Sequence, residues 1–229
     1  MEKKQYELCL EILRRLSGAG VLSEFILIGS WCVYFYKDYF SSVPYSEHVS
    51  FRTRDLDFLI SRPESLLHEA SIPQILKDLG FVPAFRGSEG YIRLEHPDLI
   101  LEFMVPGRGR GTDKPYPLPK LGINAVALRF LDLLCRDTIT VKAGGVDLKL
   151  PHPANFALQK LIILQRRTSK DKAAKDRNAA VGVLKALIMM GNTTVLLKVF
   201  NSIPHKWKSK VMRGLKETGE TEIEEILRH

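Results

Sequence analysis

The apolar positions of the chain mark out its elements before any chemistry is considered. The first twenty residues, MEKKQYELCLEILRRLSGAG, set apolar side chains at helical spacing among scattered acids and bases. This predicts an amphipathic helix ending near Gly18, not a signal peptide. EFILIGS (24–30) reads as a buried strand, and WCVYFYKDYF (31–40) as an apolar helix that begins at the Gly-Ser. A polar loop, SSVPYSEHVS, leads into FRTRDLDFLI (51–60), where apolar and polar residues alternate as in a half-buried strand. Residues 63–79 predict a helix that starts at Pro63 and stops at Gly80. FVPAF, GYIRLE and DLILEFMV read as short strands, and VALRFLDLLC as a short helix. DTITVKAGGVDLKLP predicts a hairpin turned at Gly144-Gly145. From Pro153 onward the pattern is helical: 153–166, 171–190, 193–202, then 205–227 interrupted near Gly214 and Gly219. The expected class is α/β (α+β), with a mixed-sheet domain over 1–150 and an all-helical domain over 151–229.

Composition adds bounds. With 229 residues, 45% hydrophobic and 26% charged, the chain has room for one large or two smaller globular domains. Cys9, Cys32 and Cys135 are odd in number and lack C-x-x-C spacing, which excludes a disulfide framework or zinc site and predicts reduced, buried thiols. No apolar run approaches bilayer length, so a soluble, cytoplasmic protein with no membrane partner is expected. The net charge of +8 is unevenly placed: residues 1–150 hold 19 basic and 19 acidic side chains, but 151–216 hold 14 and 2. Such a segment suits either an anionic partner, such as nucleic acid or polyphosphate, or a lysine-rich solvated surface.

The chemistry begins at Asp55 and Asp57. Side chains at i and i+2 of a strand share a face, so these carboxylates lie a few ångströms apart while Leu56 and Phe58 point to the core. Two such charges repel unless a cation sits between them: Arg52 or Arg54 is one solution, a hard divalent ion another. Gly29-Ser30 stands at a strand-to-helix turn, where backbone N–H groups and the serine hydroxyl suit phosphate oxygens, although such a pair also serves as a plain turn and cap. Glu102 interrupts a second apolar strand, DLILEFMV, where a carboxylate without a partner is costly unless it faces water at an edge.

The set IGS, RTRDLDF and LEF resembles the DNA polymerase β-like nucleotidyltransferase superfamily. With LPHPANFALQKLIILQRR and KDKAAKD, the resemblance extends over about residues 20–190 and is most specific to an uncharacterised bacterial branch. It implies that Asp55 and Asp57 bind Mg²⁺ or Mn²⁺ with Glu102 beside them. It also implies that Glu102 activates an attacking hydroxyl and that Gly29 and Ser30 hold the phosphates of an NTP such as ATP. In the related enzymes a lysine on the helix after the catalytic unit reaches the triphosphate, and Lys160 matches it. The implied activity is transfer of an NMP from an NTP to a hydroxyl on nucleic acid or another acceptor, in a cleft between the two domains. The alternative is a non-catalytic member that binds nucleotide or nucleic acid and regulates a partner protein, as in toxin–antitoxin pairs. Within the resemblance, 24 residues separate Ser30 from Asp55, bulky Trp31 follows the serine, and the third acid is Glu.

Other features weigh less. PGRGRGTDK has prolines, not a helix, after its glycines, and reads as an exposed loop from which Arg108 and Arg110 reach a substrate or only solvent. The histidines lack ligand spacing, and His152 reads as structural. Asn155, Gln159 and Arg166 predict a solvated stripe with Lys160 at its edge. Asp176 falls on an apolar helix face, where Lys172 at i,i+4 is its nearest sequence partner; it serves a structural ion pair or orients a site lysine.

Overall fold

The computed structural model describes residues 3–45, 53–86, 90–107 and 114–228. They gather into two compact units: Met1–Cys32 with Ser50–Pro151, and Val33–Val49 with His152–His229.

The first unit opens with α1 (Lys3–Gly18), which buries Cys9, Leu10, Ile12, Leu13 and Leu16 as its amphipathic pattern requires. β1 (Phe25–Ile28) is buried at every position and runs into α2 (Trp31–Tyr39), within which the division between units falls. β2 (Asp55–Ile60) pairs antiparallel with β1. After α3 (Ile72–Ile75) come β3 (Val82–Arg86), β4 (Tyr91–Glu95), β5 (Ile100–Pro106), β6 (Tyr116–Leu118) and β7 (Ile123–Leu128). The sheet order is β1-β2-β5-β4-β3, with β7 pairing both β5 and β6. β2 and β7 run parallel to β5 while β4 runs antiparallel to it, so the sheet is mixed, as expected. One face is built on Phe25, Phe58 and Phe103, whose ring centroids lie 5.7–5.9 Å apart across three adjacent strands. On the other face Ile26, Ile28 and Leu59 pack with Leu131 and Leu134, the latter from α4 (Asp132–Arg136). A separate hairpin, β8 (Thr138–Ala143) and β9 (Val146–Pro151), turns at Gly144 and Gly145 with φ of 57° and 90°. Positive φ at both positions is the conformation that glycine adopts without cost.

Two expected helices are corrected here. Over 63–79 there is a 3-10 turn at Pro63–Ser65, extended backbone at Leu66, the short α3 and a second 3-10 turn at Lys77–Leu79. Pro73 has no N–H to continue a helix and disfavours helical backbone in the residue before it, so it is accommodated only in the first turn of α3. Glu24 holds the irregular segment instead, accepting from the N–H groups of Leu67 and His68 at 2.8 and 3.0 Å. Burial raises that carboxyl's pKa, but these N–H groups and the His68 ring outweigh it and hold the value below the ordinary one. Over VALRFLDLLC, residues up to Leu128 belong to β7; Phe130, at φ 70°, turns the chain, and helix begins only at Asp132.

In the second unit, α5 (Pro153–Ile163) is buried from Pro153 to Ile162. It packs against α6 (Lys170–Met189), α7 (Thr193–Ser202) and α8 (His205–Thr218), and α9 (Thr221–Arg228) closes the chain. The expected interruption near Gly214 does not occur. Gly214 lies inside α8, where a Cβ would stand 3.3 Å from Leu161, so it permits close helix packing; the break comes at Gly219, with φ 71°. The solvated stripe on α5 is also corrected: Asn155, Gln159 and Lys160 are 1%, 5% and 7% exposed, because neighbours surround the helix. His152 caps α5, its Nδ1 accepting from Ala154 N–H at 3.2 Å, so its Nε2–H faces the Tyr39 hydroxyl at 3.4 Å. Among the described residues no helix is long and apolar enough to cross a membrane. The three cysteines are free, and burial pushes the Cys135 thiol up to about 12.

Candidate active site

The site is assembled by strand register in the first unit. Asp57 lies opposite Ile28 in the β1–β2 ladder and opposite Glu102 in the parallel β2–β5 ladder. Residues paired in register project to the same face, and adjacent strands lie about 4.8 Å apart, so Asp57 and Glu102 are side-chain neighbours. Asp55, two residues before Asp57 and paired with Ile100, shares that face. All three acids are half-buried, while the residues between and beside them, Leu56, Phe58, Leu101 and Phe103, are no more than 1% exposed on the opposite face. The apolar cluster of Ile26, Ile28 and Leu59 continues the acid face along the same strands.

Gly29 completes the arrangement. A Cβ built there would stand 2.2 Å from Asp57 Oδ2, and its φ is 75°. No other residue fits this turn without displacing the carboxylate or straining the backbone. Half-buried Ser30 follows, directly before α2. The turn is tied down by the Cys32 N–H on Gly29 O at 3.4 Å and the Cys32 thiol on Leu27 O at 3.2 Å. Arg54, one of the cations considered for the carboxylate pair, directs its guanidinium to the His96 carbonyl at 2.8 Å. Arg52, Arg108 and Arg110 lie outside the described residues.

The donors are carboxylate oxygens, which suit a hard divalent cation. Among the described residues no group of three or more His, Cys, Asp or Glu is arranged to hold a metal ion by itself. One or two carboxylates completed by phosphate oxygens and water suffice for Mg²⁺, so the set fits that ion as a partner of a bound nucleotide.

Lys160 belongs to the second unit. Its ammonium donates to Asp176 Oδ1 at 2.6 Å, and Arg167 Nε reaches Asp176 Oδ2 at 2.5 Å. Both Lys160 and Asp176 are nearly inaccessible, with side chains 9% and 8% exposed. Sequence spacing points to Lys172 as the partner of Asp176, because local helix geometry is all that spacing reports. Arg167, in the turn between α5 and α6, carries no such signal, although an acid on an apolar face does indicate that bases converge on it.

A mixed sheet in the first unit followed by a helical second unit is consistent with the nucleotidyltransferase fold. The chain belongs to a nucleotidyltransferase family, whose model matches residues 7–191. A crystal structure of an antigenic nucleotidyltransferase-like protein from Paracoccidioides brasiliensis shares the fold, with a TM-score of 0.52 at 12% identity over 99% of this chain and 93% of that one. The antibiotic-resistance factor ANT(2'')-Ia is similar at a TM-score of 0.40 and 10% identity, over 84% of this chain and 96% of that one. No curated protein matches.

Proposed function

We propose that the protein transfers a nucleoside monophosphate from an NTP to a hydroxyl acceptor, with Mg²⁺ or Mn²⁺ held by Asp55 and Asp57. The observation that carries this reading is the register that sets Glu102 beside Asp57 while Asp57 lies against the Gly29 turn. In it, Gly29 and Ser30 hold the phosphates at the start of α2, and Glu102, beside Asp57, takes the acceptor's proton. The acceptor oxygen forms a bond to the α-phosphorus, the bond from that phosphorus to the bridging oxygen breaks, and pyrophosphate leaves. A divalent cation at the acids offsets the charge of the triphosphate and stabilises the attacking and leaving oxygens.

The test is incubation with α-labelled NTPs, Mg²⁺ and a cell lysate. Label should pass to an acceptor with the intact protein. With Glu102→Gln, turnover should fall by about 100-fold or more while NTP affinity holds within about twofold, the signature of a lost proton acceptor. NTP bound tightly with no label transferred by the intact protein would favour the non-catalytic reading, a nucleotide-binding regulator of a partner.

A further inference from the structure

We infer that the helical unit binds RNA, and that RNA carries the acceptor hydroxyl; the second clause rests on the nucleotidyl-transfer reading above. Within 152–216 there are 14 Lys and Arg against two Asp. One of those two, Asp176, is buried and matched by Lys160 and Arg167. The other, Asp171, is the only acid that this segment shows to solvent. The exposed surface of α6 and α8 is therefore strongly cationic, with Asp171 and Glu217 as its exposed acids.

The bases are also gathered. α8 packs on α5 and on the 3-10 turn Leu164–Arg166 that leads into α6, with Gly214 seated against Leu161. Lys170, Lys172 and Lys175 are exposed along the start of α6, and Lys206 and Lys216 along α8. Glu217, in the last turn of α8, and Glu220 after it are paired with Arg213 and Lys185.

Charge of this kind fits a polyanion, and the remaining features select which. Of the apolar side chains of α8, Val211 and Leu215 are fully buried and Trp207 and Met212 are half-buried, which leaves little apolar surface to insert into a lipid surface. Lysines spread along two helices suit the regular phosphates of a nucleic acid, which they bind as point charges. DNA and RNA both end in a 3′-hydroxyl, but RNA adds a 2′-hydroxyl at every residue, which gives the transfer more acceptor oxygens and distinguishes it from DNA.

The experiment compares the full-length protein with Lys170→Glu/Lys172→Glu/Lys175→Glu/Lys216→Glu, using fluorescent single-stranded RNA and DNA of one sequence across a salt series. A parallel Lys→Gln set and circular dichroism show that the fold is kept. The expected result is RNA affinity at least about 30-fold weaker in the Glu variant, with the log–log salt slope flattened by about 3, near 0.7 for each phosphate no longer neutralised. ATP affinity should be unchanged, because none of the four lysines belongs to the nucleotide site. The intact protein should pass label from an NTP to RNA and not to DNA. Unchanged RNA affinity in folded Glu and Gln variants would overturn the RNA surface, whatever the transfer assay gives. RNA affinity that falls as expected, but with no label passed to RNA by the intact protein, would overturn the acceptor assignment while leaving the surface standing.

Discussion

Asp57 and Asp176 are the same side chain set into two apolar neighbourhoods, and the molecule treats them in opposite ways. Asp176 is buried in the helical unit with Lys160 and Arg167 on its two oxygens. That cluster brings its own counter-charge. Asp57 stands on a sheet face with a second carboxylate two residues before it and a third in register beside it, at a turn shaped by glycine. Gathering like charge costs stability, and on the proposed reading a divalent cation offsets it. The two neighbourhoods therefore differ in the charges set beside the aspartate, bases at Asp176 and further acids at Asp57.

The widest gap between the two should come from deleting charge at Asp176. Asp176→Ala leaves the Lys160 ammonium buried without its partner, and should cost about 3–5 kcal/mol of stability in a denaturant titration. Lys160→Met/Asp176→Leu should recover most of that loss, because no buried charge remains. A loss below about 1 kcal/mol for Asp176→Ala would mean the pair is effectively solvated and would collapse the contrast.

Gly29→Ala probes the other neighbourhood through the backbone. The new Cβ would fall 2.2 Å from Asp57 Oδ2 at a φ of 75°. The expected penalty is about 1–3 kcal/mol, together with weakened NTP binding as the carboxylate moves aside. Full stability and full nucleotide affinity in this variant would show that Gly29 is an ordinary turn. The smallest effect is expected at His152→Ala, which removes the α5 cap and should lower stability by about 1 kcal/mol without touching metal-dependent binding.

The acid side of the comparison was largely legible in the sequence. Asp55, Asp57 and Glu102 each interrupt a short apolar strand, and period-two alternation assigns a face without reference to anything distant. The Gly29-Ser30 turn was legible for the same reason. What spacing does not report is which strands become neighbours, so the register of Asp57 with Glu102 had to come from the sheet. Non-local pairing also explains the misread β7, whose strand character is set by β5 and β6 lying against it. Pro73 was present as a signal, but the apolar spacing of 63–79 masked the break it imposes. On the basic side, Asp176 meets a lysine sixteen positions away, beyond any helical spacing. Likewise, polar Asn155 and Gln159 are buried only because other helices surround α5.

The central claim is that Asp57 belongs to a cation-binding cluster, and a titration of NTP against wild-type protein and Asp57→Asn, each with and without Mg²⁺, tests it most directly. The wild type should bind NTP at least about tenfold more tightly with Mg²⁺, a difference of about 1.4 kcal/mol. Asp57→Asn should lose that metal dependence while its melting temperature stays level or rises slightly, since one of the crowded charges is gone. A variant that folds and keeps the full Mg²⁺-dependent gain would contradict the account.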